Sequence, residues 1–200
     1  FSLIPKFDLD PNKAAEAEEE ETIERNISLV SCDNAGTLLE RVKGADVYFY
    51  PLIIDGSVTD LYFAFDNEIV VISPETQGYK DFICEFFEDE SAKKYSFNTK
   101  ELHRLACKLG VELKGVKGDL MLSAYLLRPS DSNYDISHLC LEYGVKIPEF
   151  LNSLGTKDEN VELASVIKPL FEKTDILIDD AQERQLLENI ELPLSRVLAK

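Results

Sequence analysis

The side chains of this sequence that could do chemistry are above all carboxylates. Aspartate and glutamate number 38 among 200 residues, against 21 lysines and arginines, so the formal net charge is −17. Carboxylates that converge in sets bind Mg²⁺ or Mn²⁺, and two such ions close together catalyse displacements at phosphorus. The candidate set consists of Asp55, Asp119 and the neighbouring Asp179 and Asp180. Nothing in their spacing brings these groups together, so this set is kept only as an alternative.

Most of these aspartates also have a structural interpretation, which we prefer. The pairs Asp55-Gly56 and Asp66-Asn67 are typical of hairpin turns, because these residues tolerate positive φ. Asp119 begins an apolar helical run and is predicted to cap that helix. The string from Tyr62 to Asp66 has Tyr-x-x-x-Asp spacing, but it lies in a predicted strand. Residues four apart in a strand are separated by about 13 Å, so this string is interpreted as chance.

The cysteines and histidines indicate neither a metal site nor a nucleophile. The two histidines are His103 and His138, and the cysteines are widely scattered with no C-x-x-C pair: Cys32, Cys84, Cys107 and Cys140. A zinc site is therefore not expected. No Gly-rich phosphate loop and no supported Ser-His-Asp or Cys-His pairing occurs. We predict no cofactor and no metal ion for this chain.

Strands dominate the first half of the sequence. A short apolar run from Ile27 is a candidate edge strand, and Asp33 or Asn34 could cap the helix that follows. Three strand-like runs come next, at 47–54, 58–65 and 68–73. Ser73-Pro74 predicts a helix start. The helix carries an apolar stripe that is predicted to pack on the sheet rather than to stack on bases: Tyr79, Phe82, Ile83, Phe86 and Phe87.

Helices dominate the second half. Asn98 and Glu101 form a capping-box-like start for a helix that ends at Gly110. The run LMLSAYLL after Asp119 is apolar nearly all round and is predicted to be buried. Asp135 is predicted to cap a helix ending near 143–144, and two long helices follow from about 159 and about 181, the second kinked by Pro193. Together these elements predict an α/β domain with a mixed sheet and helices on its faces.

The segment 94–140, with GVELKGVKGDLMLSAYLL at its centre, resembles the proofreading-exonuclease region of bacterial DNA polymerase I, a family A polymerase. The tail ENIELPLSRVLAK resembles the segment that leads from that region into the polymerase domain. The resemblance covers 27–200. It implies a ribonuclease H-like fold, and a parent protein that is a bacterial DNA-directed DNA polymerase of replication and repair.

Active members of this family hold two metal ions with carboxylates at three places, and the resemblance aligns this chain with each. An Asp-x-Glu on the first sheet strand corresponds to Pro51 and Ile53, which have no oxygen donor in their side chains. An Asn followed after three residues by Asp corresponds to Asn98 and Leu102. A late helical Tyr-x-x-x-Asp should fall within 159–179 and is absent there. Pro51 also predicts a strand edge, end or bulge, and Asn98 is interpreted as a helix N-cap.

These substitutions predict a catalytically inactive 3′–5′ exonuclease-like domain. Its role would be that of a structural scaffold between the 5′-nuclease and polymerase domains of the same parent chain. Two alternatives stay open. The chain could be an active metal-dependent exonuclease with relocated ligands, namely Asp55, Asp119 and residues near Asp179 and Asp180, or an interaction module that uses its acidic N-terminal segment.

Three regions are expected: an acidic linker from an upstream domain at 1–26, the exonuclease-like domain at 27–180, and the start of the helix leading into the polymerase domain at 181–200. The acidic balance predicts weak or no DNA binding by this chain alone. Seven basic residues are interpreted as a solvated face: Lys93, Lys94, Lys100, Arg104, Lys108, Lys114 and Lys117. With no secretory signal and no apolar run of about 20 residues, a cytoplasmic, membrane-free monomer is expected.

Overall fold

A six-stranded mixed sheet forms the centre of the molecule, in a computed structural model that describes residues 27–152 and 155–199. Its strand order is β1-β4-β3-β2-β5-β6. The pairs β2–β3 and β3–β4 are antiparallel, and β1–β4, β2–β5 and β5–β6 are parallel. The strands are β1 Ser28–Ser31, β2 Asp46–Ile54, β3 Ser57–Phe65, β4 Glu68–Ile72, β5 Lys93–Ser96 and β6 Val116–Asp119. The predicted edge strand, meander and mixed α/β class are confirmed.

Helices cover both faces of this sheet. They are α1 Ala35–Val42, α2 Tyr79–Glu88, α3 Thr99–Leu109, α4 Leu120–Leu127, α5 Ile136–Glu142, α6 Glu159–Ser165, α7 Ile167–Asp180, α8 Arg184–Leu186 and α9 Leu192–Leu198, with a π-helical turn at Leu187–Glu191. Alternate residues of β2 point to opposite faces. Val47 and Phe49 join the core under α1, α2 and α3, whereas Tyr48 and Tyr50 pack towards α4, α5 and α7. The domain is therefore a three-layer sandwich.

Aromatic rings fill the core under α2. The ring centroids of Phe49 and Phe63 lie 5.4 Å apart, and Phe86 stands edge-on to both, at 5.5 and 5.4 Å. Edge-to-face and offset pairs of this kind are the favoured arrangements of aromatic rings. The prediction that the α2 stripe packs on the sheet is confirmed.

The predicted helix start at Ser73-Pro74 is wrong, because α2 begins five residues later. The Thr76 N–H donates to Ser73 O at 2.9 Å, and the Ser73 N–H donates to Thr76 Oγ1 at 3.1 Å, which closes a turn. The carbonyl of Gln77 then accepts from the N–H of Ala35 at 3.0 Å, so this segment is held against the start of α1. A tertiary hydrogen bond has taken precedence over the local helix signal.

The C-terminal half also departs from the sequence prediction. The first predicted long helix breaks at Val166 into α6 and α7. The second contains the π-helical turn just before Pro193, and this is where the proline's missing N–H interrupts the regular pattern. The α4 helix is not buried all round, since Tyr125 is 44% exposed.

Two further sequence predictions concern the ends of the chain and the membrane. The acidic linker predicted at 1–26 lies outside the described residues. Among the residues that the structure does describe, no helix combines the length and the apolar character needed to cross a bilayer.

Candidate functional site

Pro51 and Ile53 lie on β2, an inner strand of the sheet between β3 and β5. β5 pairs with β2 only along Asp46, Val47 and Tyr48, so Pro51 needs no donor on that side. On the other side the β2–β3 register shifts between Pro51 and Ile53. Of the three predicted alternatives for Pro51, a strand edge, a strand end or a bulge, this shift in register favours the bulge. Pro51 is buried and Ile53 is half-buried, and neither side chain can coordinate a hard cation because neither carries an oxygen atom.

Leu102, on the first turns of α3, is part of the hydrophobic core. Its side chain is 1% exposed and belongs to the same core cluster as Phe49 and Phe63. Where the family's active members are expected to hold a metal-binding aspartate, this chain therefore has a packed hydrocarbon. A carboxylate could replace it only at the cost of burying a charge among aromatic rings.

Asn98 occupies the N-cap position of α3, but its side chain does not cap the helix. Its backbone is left-handed, with φ 54° and ψ 57°, and the side chain makes no capping hydrogen bond. The predicted N-cap position of Asn98 is therefore confirmed, but the predicted capping box is wrong because its side chain makes no capping hydrogen bond. In the left-handed conformation the backbone N–H of Asn98 instead donates to Asp119 Oδ1 at 3.1 Å.

Asp119 caps two helices with one carboxylate. Its Oδ2 accepts from the N–H and the hydroxyl of Thr99, both at 2.7 Å, at the start of α3. Its Oδ1 accepts from the N–H of Met121 at 2.9 Å, at the start of α4. The predicted capping of α4 is confirmed. The second role at α3 was missed, because the two segments are 20 residues apart in the chain and only the parallel pairing of β5 with β6 brings them together.

The electrostatics of Asp119 follow from its burial. Burial raises the pKa of the Asp119 carboxyl, while the hydrogen bonds from Thr99, Met121 and Asn98 act in the opposite direction. Both oxygens are occupied by N–H and O–H donors. The lone pairs that a metal ion would need are therefore already used within the protein.

Two carboxylates of α7, Asp175 and Asp179, are bound to an arginine. Neither α6 nor α7 contains a tyrosine. Arg184 Nη1 lies 2.9 Å from Asp175 Oδ1, and Arg184 Nε lies 2.8 Å from Asp179 Oδ1. The hydrogen bond from Arg184 lowers the pKa of Asp179. These carboxylates are compensated by a guanidinium.

Comparisons with known proteins identify the family of this chain. The family described as "DNA polymerase I, ribonuclease H-like domain" matches residues 55–176, more than half of the chain. The chain belongs to this family. DNA polymerase I of Bacillus subtilis (strain 168) is 28% identical over 142 residues, which cover 64% of this chain and 16% of that protein. This chain thus spans about one sixth of the length of that relative.

Solved structures share the ribonuclease H-like fold of this DNA polymerase I domain. The structure titled "POL domain of Pol1 from M. smegmatis complex with DNA primer-template and dNTP" has a TM-score of 0.67 and 23% identity, covering 86% of this chain and 31% of that one. Brucella melitensis NrnC bound to pGG has a TM-score of 0.61 and 14% identity, covering 86% and 93%. Trypanosoma brucei RNase D has a TM-score of 0.55 and 15% identity, covering 76% and 66%.

The alternative ligand set does not converge in this DNA polymerase I domain. Asp55 is in the β2–β3 turn with φ 49°, Asp119 is inside the double cap, and Asp179 pairs with Arg184. Tyr62 is in β3 and Asp66 is in the turn after it, so the Tyr-x-x-x-Asp string is not helical, as predicted. Within residues 27–152 and 155–199, three side chains that could together hold a metal ion do lie close to one another, but they are Asp131, His138 and Glu142 and include none of the residues above.

One of the predicted solvated lysines is in fact buried in this domain. Lys94 is 1% exposed, and its Nζ donates to the carbonyls of Asp89 at 2.6 Å and Ala92 at 3.1 Å. Burial lowers the pKa of Lys94 to about 8. The prediction of a solvated face is wrong for this residue, because alternation along β5 turns it inward next to Phe86.

Proposed function

We propose that this chain is a catalytically silent 3′–5′ exonuclease-like domain of a DNA polymerase I. The observation that carries the proposal is the burial of Leu102, at 1% exposure, in the aromatic core where a metal-binding carboxylate is expected. Pro51 and Ile53, at the positions where the family's Asp-x-Glu is expected, also support the proposal. Cleavage with two metal ions needs several anionic oxygens to hold the ions, and these three positions provide none.

The loss of the whole set matters more than the loss of any one ligand. A site lacking one carboxylate could still hold one ion weakly. Without bound metal ions, the negative charge that develops on the phosphate in the transition state lacks the counter-charge that two-metal cleavage relies on. The neighbouring carboxylate, Asp119, is fully engaged by backbone and hydroxyl donors.

We further propose that the domain acts as a scaffold in the parent polymerase. Its sheet and helices keep a tightly packed core although the catalytic positions are hydrocarbon. The final helical segment, made of the π-helical turn and α9, has four apolar residues that are each at least 40% exposed. They are Ile190 at 53%, Leu194 at 40%, Val197 at 62% and Leu198 at 59%. Their i, i+4, i+7, i+8 spacing is that of one helix face, and an exposed apolar face favours contact with another protein surface. The polymerase region expected to follow in the same chain is the proposed partner, and a 5′-nuclease region is expected on the N-terminal side.

The parent protein is proposed to be a DNA-directed DNA polymerase that does not edit its product through this domain. DNA contact would then come from the parent's other regions. The formal net charge of −17 supports this division, because phosphate binding relies on lysine and arginine.

A single-stranded DNA digestion assay tests the silent site. Purified chain is incubated with a 3′-labelled oligonucleotide and excess Mg²⁺ or Mn²⁺, beside a proofreading exonuclease as positive control. We expect no loss of label above the level of a chelator-treated sample. Digestion that co-elutes with the folded chain and depends on the added metal would defeat the proposal.

The scaffold is tested in the complete parent chain. Ile190→Ser with Val197→Ser should loosen the contact with the following region, and the heat-unfolding profile should separate into more resolved transitions. Leu141→Ser is the matched control, because Leu141 is 83% exposed on α5 and lies away from the final helices in sequence. Equal profiles for the double variant and the control would argue against this contact surface.

A further inference from the structure

Although the sequence analysis predicts no metal ion, the structure brings together three side chains of types that can bind a transition metal. Asp131, His138 and Glu142 each offer one ligand atom, and these atoms all lie within 4.8 Å of one another. Asp131 belongs to the connection between α4 and α5, and the other two belong to α5. The side chains of all three are partly exposed, at 26%, 36% and 17%, so an ion from solvent can reach them.

The helix geometry aligns two of the three ligands. His138 and Glu142 are four residues apart on α5, so they lie one above the other on the same helix face. Their Nε2 and Oε2 atoms are 3.8 Å apart. The first turn of α5 is fixed by Asp135, whose Oδ1 accepts from the N–H of His138 at 2.8 Å.

The connection between α4 and α5 holds Asp131 beside this pair. The N–H of Asp131 donates to Arg128 O at 3.1 Å, and the Tyr134 hydroxyl donates to the same carbonyl at 2.8 Å. The N–H of Asp135 donates to Asn133 Oδ1 at 3.0 Å. The third ligand is therefore positioned by a hydrogen-bonded loop.

Arg128 is the counter-ion of this group. Its Nε lies 3.1 Å from Asp131 Oδ2, and its Nη1 bonds to Glu142 Oε1. Two carboxylates against one guanidinium leave one negative charge in excess when His138 is neutral. The Arg128 side chain is 52% exposed, so it can swing into solvent without leaving a buried charge behind.

We propose that Asp131, His138 and Glu142 form a binding site for Zn²⁺, which displaces Arg128 from the two carboxylates. One imidazole with two carboxylates is a donor set that suits Zn²⁺, whereas Mg²⁺ and Ca²⁺ prefer oxygen ligands throughout. Zinc bonds to these ligands are about 2.0–2.2 Å long. The ligand atoms need to approach by roughly 1 Å from their present separations, a movement within the reach of partly exposed side-chain rotamers.

This site is independent of the silent exonuclease positions. It would link the α4–α5 connection to the last turn of α5 through one ion. Binding to the folded chain only would stabilise that chain in proportion to the logarithm of the free metal concentration. A failure of the zinc proposal would thus leave the proposed function unaffected, and the reverse also holds.

Calorimetric titration with Zn²⁺, with Co²⁺ absorption as the spectroscopic probe, tests the site. Every protein carries Cys107→Ser, because Cys107 is an exposed thiol that could bind either metal. We expect one saturable site, and at least about tenfold weaker binding in His138→Gln. Arg128→Gln should bind roughly fivefold more tightly, because it removes a competing positive charge.

His138→Gln is expected to weaken metal binding and Arg128→Gln to strengthen it. These opposite effects on affinity distinguish a metal site from an ordinary ion-pair cluster. His103→Gln is the matched control, since His103 is the other histidine of the chain and should leave the titration unchanged. Circular dichroism confirms that each variant is folded. No saturable binding in the Cys107→Ser protein, or equal binding by His138→Gln and His103→Gln, would overturn the proposal.

Discussion

The Asp119 carboxylate and the Thr99 backbone N–H are 2.7 Å apart, although the two residues are separated by 20 positions in the chain. This hydrogen bond joins the start of α3 to the start of α4. The other oxygen of the same carboxylate accepts at 3.1 Å from the N–H of Asn98, one of the positions at which the family's exonuclease chemistry is expected. Aspartate is a residue type that often binds metal ions, but the Asp119 carboxylate here caps the starts of two helices and joins them.

Asp119→Ala should lower the free energy of unfolding by about 3 kcal/mol, since two helix caps worth about 1–2 kcal/mol each are removed together. Urea denaturation followed by far-UV circular dichroism measures this loss. Asn34→Ala is the matched control, because Asn34 caps only α1, through the Gly36 N–H at 2.9 Å. Its cost should be near 1 kcal/mol. Equal losses in the two variants would contradict the double cap.

Leu102→Asp should destabilise the fold rather than restore a metal site. Leu102→Ala alone is expected to cost about 3 kcal/mol, and the aspartate should cost more because a carboxylate is then buried among aromatic rings. Ile54→Asp is the control at an exposed position of β2, since Ile54 is 52% exposed. We expect a change below about 0.5 kcal/mol for it. Chemical denaturation checks both values, and a tolerated Leu102→Asp would be incompatible with the packing described.

Gly115→Ala should be far more harmful than Gly110→Ala, although both glycines have left-handed backbones, with φ 70° and 74°. A Cβ at Gly115 would lie 2.5 Å from Ala92 O, whereas one at Gly110 would meet nothing within 4 Å. Gly110→Ala should cost about 1–2 kcal/mol from backbone strain alone. Gly115→Ala adds a clash with backbone. Melting temperatures of the two variants test this order, and similar values would refute it.

Stability should fall between about pH 6.5 and about pH 4 because of His103. Burial, together with Arg196, lowers the pKa of His103 to about 4, while Glu112 opposes the shift. The unfolded chain therefore binds a proton in this range that the folded chain does not, and acid favours unfolding by up to about 3 kcal/mol.

The His103→Gln variant should lose this part of the pH dependence. His138→Gln, at a histidine with a 36% exposed side chain, should keep it. Denaturant midpoints measured at intervals across the range give the slopes. A slope that is the same in His103→Gln as in the unsubstituted chain would show that another group is responsible.

Local patterns were enough to predict several elements of the fold. Alternating side chains in β2, β3 and β4 depend only on neighbours in sequence, and the turns at Asp55 and Asp66 require residues that tolerate positive φ, as observed. The Ser73-Pro74 signal failed for the complementary reason. It is also local, but the Gln77 carbonyl bonds to Ala35 across the fold, and this contact outweighs a helical preference of a few tenths of a kcal/mol per residue.

The sequence alone determines that Pro51, Ile53 and Leu102 have no oxygen donors in their side chains, because that is a property of covalent structure. Only the tertiary structure decides that Leu102 faces the core, that Lys94 is buried under Phe86, and that Asp119 serves two helices. Each of these depends on which strands pair and which faces meet. Such contacts join residues far apart in the chain, and no local pattern of side chains records them.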